Sequence, residues 1–224
     1  MKLVVQIPAW NEEATLPRTL ADLPREVPGF DSVVWLVVDD GSADRTAAVA
    51  REHRADAVLT LPAHRGLAAA FRAGRDAALA LGADVIVNTD ADHQYRGADV
   101  ARVAAPVLAG AADVVVGERD PAGLRHPRLQ RAGSALVRRV SGTDVRDATS
   151  GLRAFSREAA RALEVTSSFT YTVETLIRAG RSGMAVAGVP VGTNPATRPS
   201  RLFGSPWVYV GRTGPSILRL WLTA

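Results

Sequence analysis

Two carboxylates one residue apart and then an amide, Asp90-Ala91-Asp92-His93-Gln94, follow the apolar β-branched run Val85-Ile86-Val87. Such a run reads as a strand buried on both faces. Asp90, Asp92 and Gln94 would then stand where the strand leaves a sheet, and in open α/β sheets ligands bind at that carboxyl edge. Oxygen ligands on a short extended segment suit a hard divalent cation, Mg2+ or Mn2+. The same side chains also suit a turn and the N-cap of a following helix, and this segment alone leaves both readings open. Comparable groups follow other strand-like runs: Pro8-Ala9-Trp10-Asn11-Glu12 after residues 3–7, Asp39-Asp40-Gly41-Ser42 after 33–38, and His64-Arg65-Gly66 after 57–61. A carboxylate such as Asp39 can accept from a base N–H or a ribose hydroxyl, although Asp39 to Ser42 also fits a turn with an N-cap. Backbone and basic groups around Gly66, Arg65 among them, can approach a phosphate; Arg65 fits a solvated surface charge equally well. There is no G-x-G-x-x-G after the first strand and no G-x-x-x-x-G-K-[ST]. A dinucleotide site and a P-loop are therefore unsupported.

The elements that must position these groups alternate. Strands are expected at residues 3–7, ended by Pro8, and at 33–38, 57–61, 85–87 and 113–116. Between them lie helical patterns: one opened by Asn11 with Leu16, Leu20 and Leu23 at helical spacing, one capped by Ser42 or Asp44, then an Ala-rich helix over 66–81 and another over 99–108. This order predicts a largely parallel sheet with right-handed crossovers. After Gly117 the pattern loosens. A polar, basic loop over 118–127 precedes a basic helix over 129–140. Residues 149–155 read as a turn into a short strand, 169–179 as a helix, and 186–191 as a last strand. The Pro-rich stretch 194–206 reads as a loop.

The 224 residues, 47% of them hydrophobic, suffice for one core. Cysteine is absent, which removes disulfides, thiolate metal sites and a cysteine nucleophile, and fits a reducing compartment. The net charge of +4, carried almost wholly by arginine, fits an anionic ligand or membrane surface. Nucleic acid is not expected, because the aromatic platforms on which bases stack are missing. No stretch approaches the 18 apolar residues of a membrane span. From Trp207 to Leu222 the chain is apolar and aromatic with interleaved arginines, as an interfacial helix or the approach to a membrane span would be.

Taken together, Pro8-Ala9-Trp10-Asn11-Glu12-Glu13, Val38-Asp39-Asp40-Gly41-Ser42 with Asp44 and Thr46, and Asp90-Ala91-Asp92 resemble glycosyltransferase family 2. Val115-Val116-Gly117-Glu118-Arg119, Asp147 to Phe155 and Thr170-Tyr171-Thr172-Val173-Glu174 narrow the resemblance to the branch that glycosylates polyprenyl (dolichyl) phosphates. It runs from Leu3 to about Ser205. It implies an α/β fold of the GT-A, Rossmann-like type: three αβα layers around a mostly parallel sheet over 1–205, with an amphipathic segment over 206–224. It implies an inverting, metal-dependent hexosyltransferase that takes a GDP-mannose or UDP-glucose type of donor. Pro8, Ala9, Asn11, Glu12, Asp39, Asp40, Arg65, Gly66 and Asp90 are expected at the donor, with Arg198 and Arg201 closing over its diphosphate. Asp92 and Gln94 are the expected ligands of Mg2+ or Mn2+. Asp90, Asp92, Arg119, Arg131 and Asp147 are the expected catalytic residues, with Arg119, Arg131 and Ser134 at the acceptor phosphate. His93 departs from the family pattern and is expected to be a spectator. The Q-x-x-R-W motif of the processive polysaccharide synthases is absent.

Physical chemistry separates the possible acceptors. A sugar hydroxyl must lose its proton and needs a general base. A lipid phosphate is already anionic near neutral pH, with a second pKa of about 6, and needs only cations to hold it. Arg119, Arg125, Arg128 and Arg131 supply them, whereas Arg138 and Arg139 read as solvated helix charges. The expected location is cytoplasmic, peripheral at the inner face of a membrane. The competing readings are a family 2 enzyme with a hydroxyl acceptor, a sugar nucleotidyltransferase, and a non-catalytic nucleotide-sugar-binding module. The second would need a Gly-rich basic loop after the first strand, which Pro8 to Asn11 is not.

Overall fold

The computed structural model describes residues 1–123 and 126–195. The Arg198–Arg201 loop, the segment after Pro206 and Arg125 lie outside them. Seven strands form one sheet in the order β3-β2-β1-β4-β6-β5-β7. They are β1 (Lys2–Ala9), β2 (Ser32–Asp39), β3 (Ala57–Thr60), β4 (Val85–Asn88), β5 (Val114–Arg119), β6 (Arg153–Ser156) and β7 (Val186–Val191). The helices are α1 (Leu16–Asp22), α2 (Thr46–Glu52), α3 (Leu67–Ala80), α4 (Asp99–Leu108), α5 (Pro127–Ser141), α6 (Arg157–Ala162) and α7 (Thr172–Arg181).

Side-chain alternation along the strands divides the core into layers. Leu3, Val5 and Ile7 of β1, Trp35 and Val37 of β2, and Val85 and Val87 of β4 face the layer that holds α1, α2 and α4. Val4, Leu36, Val38 and Ile86 face the opposite layer under α3 and α6. A third cluster joins Val116 to Val137 of α5 and to Leu176 and Ile177 of α7. This three-layer α/β fold is of the GT-A type.

The winding reverses at β1. The chain builds outward from β1 to β2 and β3, then returns through α3 to place β4 on the other side of β1. The carboxyl ends of β1 and β4 therefore flank a switch-point crevice, the usual ligand position of such sheets. Pro8 does not end β1, which runs on to Ala9 paired with Asp39. The β1–β4 ladder already stops at Gln6 and Asn88, so Pro8 lies where β1 pairs only β2.

The sheet is not wholly parallel. β6 runs antiparallel between β4 and β5, with Arg153 opposite both Asn88 and Val116. It therefore enters the sheet from the catalytic edge, and the preceding loop, residues 147–152, lies across that edge. The basic loop expected over 118–127 begins later than its polarity suggested, because Glu118 and Arg119 continue β5 beside β7.

Candidate active site

Four loops gather at the carboxyl edge. The first two lock together through side chains. Asn11 Oδ1 accepts from Ala43 N at 2.8 Å, Ser42 Oγ from Asn11 N at 2.9 Å, and Thr46 Oγ1 from Glu12 N at 2.8 Å. Asn11 takes a positive φ of 54° in this turn. Asp39, at the end of β2, accepts from Ser42 N at 3.1 Å. Asp40 is buried and reaches the third loop: its oxygens accept from Arg65 N at 2.9 Å and Gly66 N at 2.8 Å, and His64 Nδ1 lies 2.8 Å away. The His64 ring in turn stacks on Trp10, with centroids 4.0 Å apart.

The fourth loop carries Asp90, Asp92 and Gln94, all half-buried. Asp92 Oδ1 accepts from Gln94 N at 3.3 Å, a turn closed on its own backbone. His93 sits at the apex with φ 58°. Its Nε2 lies 3.5 Å from Asp22 on α1 and 3.2 Å from Asn194 Nδ2. Asn194 clasps the whole turn: its N–H donates to Gln94 O at 2.9 Å and its side-chain amide to His93 O at 3.1 Å.

Beneath Asp90 lies a buried polar network. Gln6 Nε2 donates to Asn88 Oδ1 at 2.9 Å, and Asn88 Nδ2 donates to Gly151 O at 3.0 Å. Tyr171 Oη also donates to Gly151 O, while Tyr95 Oη accepts from Gly151 N at 2.8 Å. Gly151 is thus held from both sides directly behind Asp90. Burial, with Asp90 nearby, pushes the Tyr95 phenol up to about 12, and burial keeps Tyr171 neutral as well. Both hydroxyls act as fixed dipoles rather than proton carriers.

At the end of β5, Arg119 pairs with Asp147 through two hydrogen bonds, Nε to Oδ2 at 2.7 Å and Nη2 to Oδ1 at 3.0 Å, and Nη2 also reaches Thr149 Oγ1 at 2.9 Å. Burial opposes the charge on both partners. For Asp147 the hydrogen bonds and charge of Arg119 outweigh it, and the carboxyl falls below the usual range. For Arg119 the hydrogen bonds and charge of Asp147, with the charge of Asp90, outweigh it and keep the guanidinium charged. Arg153, fully buried in β6, braces the same loop by donating to Ala148 O at 2.8 Å and Ser150 O at 2.8 Å.

The model of Glycosyl transferase family 2 matches residues 4–163. The chain belongs to that family. This glycosyltransferase is 34% identical over 194 residues to a dolichyl-phosphate hexose transferase of Haloferax volcanii, covering 84% of this chain and 81% of that one. It is 32% identical over 206 residues to a polyprenol monophosphomannose synthase of Mycolicibacterium smegmatis, covering 85% and 76%. Among solved structures, a glucosyl-3-phosphoglycerate synthase from Mycobacterium tuberculosis in complex with Mn2+ and uridine-diphosphate-glucose superposes with a TM-score of 0.74 at 26% identity, covering 96% of this chain and 78% of that one.

In this glycosyltransferase several expected ligand contacts are spent inside the protein. The Arg65 and Gly66 amides, expected at a phosphate, already hold the Asp40 carboxylate, so Asp40 and these amides fix a loop. Pro8 and Ala9 are buried in β1, and Ala9 O accepts from Asp40 N at 2.8 Å. Asn11 and Glu12 bind the neighbouring loop, and Glu12 Oε2 also accepts from Thr15 Oγ1. Ser134, expected at the acceptor phosphate, is 3% exposed, and its Oγ accepts from Ala148 N at 3.1 Å. It ties α5 to the Asp147 loop. Arg131 stands exposed on α5, whereas Arg119 is committed to Asp147. Asp39 ends β2, and Asp90, Asp92 and Gln94 follow β4 in one loop at the same carboxyl edge.

The residues fit a divalent ion whose shell is completed by groups other than protein side chains. Among the described residues no three His, Asp or Glu side chains gather as a cage. Asp92 and Gln94, with Asp90 beside them, are hard oxygen donors, too few to complete a shell alone. Mg2+ or Mn2+ held by one or two carboxylates, a diphosphate and water matches such a set. Gly151, Tyr95 and Asn194 brace the loops at this edge through contacts that the motifs did not reveal. Gly151 and Tyr95 lie in or beside motif segments, but their roles depend on contacts between distant parts of the chain.

Proposed function

We propose that this glycosyltransferase transfers a hexose, of the mannose or glucose type, from a GDP- or UDP-linked donor to a polyprenyl monophosphate, with inversion and with Mg2+ or Mn2+. The supporting observation is the state of Asp147. It is a buried carboxylate beside the end of β5, on the side proposed for the acceptor, yet both its oxygens accept from Arg119 and its carboxyl is held below the usual range. A carboxylate so engaged is a poor proton acceptor, which disfavours a hydroxyl acceptor. A phosphate acceptor requires no base. The names of the relatives from Haloferax volcanii and Mycolicibacterium smegmatis favour the same class.

In this reading Asp39 and Asp90 hold the nucleoside side of the donor. Asp92 and Gln94 would hold the divalent ion, which when bound would supply charge neutralisation on the leaving diphosphate. Arg131 and the Arg119 end of β5 receive the acceptor phosphate. One phosphate oxygen attacks the anomeric carbon from the face opposite the diphosphate. The new C–O bond forms as the old one breaks, and the nucleoside diphosphate leaves with the bonding pair. Arg198 and Arg201, outside the described residues, would close over the diphosphate. Among the described residues no helix is long and apolar enough to cross a membrane; the proposed location is peripheral, at the cytoplasmic face.

Partition of a radiolabelled sugar tests the assignment. With GDP-mannose or UDP-glucose, polyprenyl monophosphate and Mn2+, the label is expected in the organic phase as an acid-labile lipid. Label confined to a glycan or protein fraction would overturn the acceptor and leave the donor side standing. Arg131→Ala is expected to lose transfer and keep donor binding by calorimetry. A charge-assisted contact is worth about 1.5–3 kcal/mol, so the loss should be roughly ten- to a hundredfold.

A further inference from the structure

Residues 192–194, which follow β7, are sewn onto the loop that follows β4. Gly192 N donates to Asp99 Oδ2 at 2.7 Å, and Asp99 is buried. Thr193 forms an isolated antiparallel bridge with Tyr95. Asn194 ends the seam, and it binds three consecutive carbonyls. Its N–H donates to Gln94 O at 2.9 Å, and its Nδ2 donates to His93 O at 3.1 Å and to Tyr95 O at 3.4 Å. A side-chain amide nitrogen carries two hydrogens, so both of its bonds can be made at once. The same Nδ2 lies 3.2 Å from His93 Nε2.

The consequence falls on Gln94. The peptide units on either side of it are planar, and the carbonyls of His93 and Gln94 mark how those planes are turned. With both carbonyls held by Asn194, φ and ψ of Gln94 are fixed and its Cα–Cβ bond is aimed. The turn needs this hold. His93 stands at φ 58°, a left-handed conformation that residues other than glycine adopt at a cost and keep where their surroundings over-determine it. The bond from Gln94 N to Asp92 Oδ1 is long at 3.3 Å and closes the turn only from within. Asn194 holds it from outside, 101 residues further along the chain than His93.

We propose that Asn194 is a positioning residue, which aims Gln94 at a divalent cation shared with the donor diphosphate. The inference rests on the cation reading given above for Asp92 and Gln94. A neutral amide oxygen attracts a hard cation less than a carboxylate does, so its worth as a ligand depends on arriving already oriented. Asn194 is not a ligand in this arrangement: its amide nitrogens are spent on the turn. His93 takes part through its carbonyl and its backbone conformation rather than as a ligand.

Calorimetric titration of the full chain with UDP-glucose and with GDP-mannose, each in Mn2+ and again in EDTA, tests this. The ratio of the two donor affinities reports the coupling between cation and donor. Asn194→Ala is expected to lower that ratio about ten- to a hundredfold, the usual effect of losing a partner that orients a metal ligand. Binding in EDTA and the thermal unfolding midpoint should keep their parental values, because the backbone bond to Gln94 O and the tie from Gly192 to Asp99 remain. Gln94→Ala closes a double-mutant cycle. Asp92 is still present in that variant, so part of the ratio survives, and adding Asn194→Ala should remove nothing more. An unchanged ratio in Asn194→Ala, beside a lowered one in Gln94→Ala, would overturn the proposal and leave the cation reading standing. Additive losses would also overturn it, because Asn194 would then reach the ion by a route other than Gln94. A fall in EDTA binding and in unfolding midpoint alongside the ratio would make Asn194 a structural residue only. A parent whose donor affinity ignores Mn2+, or a ratio that Gln94→Ala leaves untouched, would refute the cation reading and this inference with it.

Discussion

A Cβ placed on Gly151 would lie 2.6 Å from Asp90 Oδ1 and 2.7 Å from Oδ2, well inside contact distance. The loop can pass behind the Asp90 carboxylate only as glycine. Gly151→Ala is therefore expected to push the Asp90 carboxylate, the free end of a half-buried side chain, out of position. Donor affinity should fall roughly ten- to a hundredfold, the worth of one charge-assisted contact, with only a small change in unfolding temperature. Calorimetric titration with donor and Mn2+, alongside thermal unfolding, checks this; unchanged affinity with large destabilisation would remove Asp90 from the donor. The position of Asp90, Asp92 and Gln94 just past a strand end was legible in the sequence, because the apolar run Val85 to Val87 precedes them. The partner of Arg119 was not. Its charge suggested a ligand, but a lone guanidinium at 8% exposure is costly, and the fold meets that cost with Asp147. The amide partners of Asp40 were illegible for the same reason: what a buried carboxylate accepts from depends on a loop far along the chain.

At the level of elements, α5 and α7 meet at a glycine. A Cβ on Gly180 would lie 2.0 Å from Ser141 O at the end of α5. Gly180→Ala must force the helices apart and loosen the cluster of Val137, Leu176 and Ile177. Overpacking of this kind costs about 1–3 kcal/mol, which urea unfolding would register as a lower midpoint at unchanged slope. Most strands and helices were legible, since runs buried on both faces and amphipathic helices repeat with different periods. Two features were not. The six residues of α6 are too short to show a period, although Ser156, whose Oγ accepts from Ala159 N at 3.0 Å, and Glu158 in the first turn are start signals. The antiparallel sense of β6 cannot be read from its composition, because strand direction follows from where the connection enters the sheet.

Across the whole molecule, Asp84, Asp147 and Glu174 carry carboxyls held below their ordinary values of 3.8, 3.8 and 4.5. For Glu174, burial is outweighed by the Thr166 and Ser167 amides and by Arg178. As pH falls, the unfolded chain takes up these protons before the folded one does. The stability they contribute is therefore complete above about pH 5 and lost as pH falls through the depressed folded values. Tyr95 acts at the alkaline end: its contribution holds below pH 10, the ordinary value, and fades as pH rises towards about 12. Thermal unfolding from pH 7 down to 3 should show the acid loss, with a shallower decline for Asp147→Asn, whose already lowered baseline no longer titrates. A parallel decline in both proteins would assign acid sensitivity elsewhere.

The placement of β6 also sets an order of assembly. The half-sheet β3-β2-β1-β4 uses only residues before Asp90, so it can form as soon as that part of the chain leaves the ribosome. β5 has no permanent neighbour at that moment. It must wait for β6 to insert between itself and β4, and for β7 to cover its other side. Non-local closures of this kind are slow, and the nascent chain meanwhile exposes the β4 edge beside a bare Asp90 loop, the kind of surface that chaperones protect. The proposed nucleotide affinity should therefore be among the last properties this protein acquires as it is made.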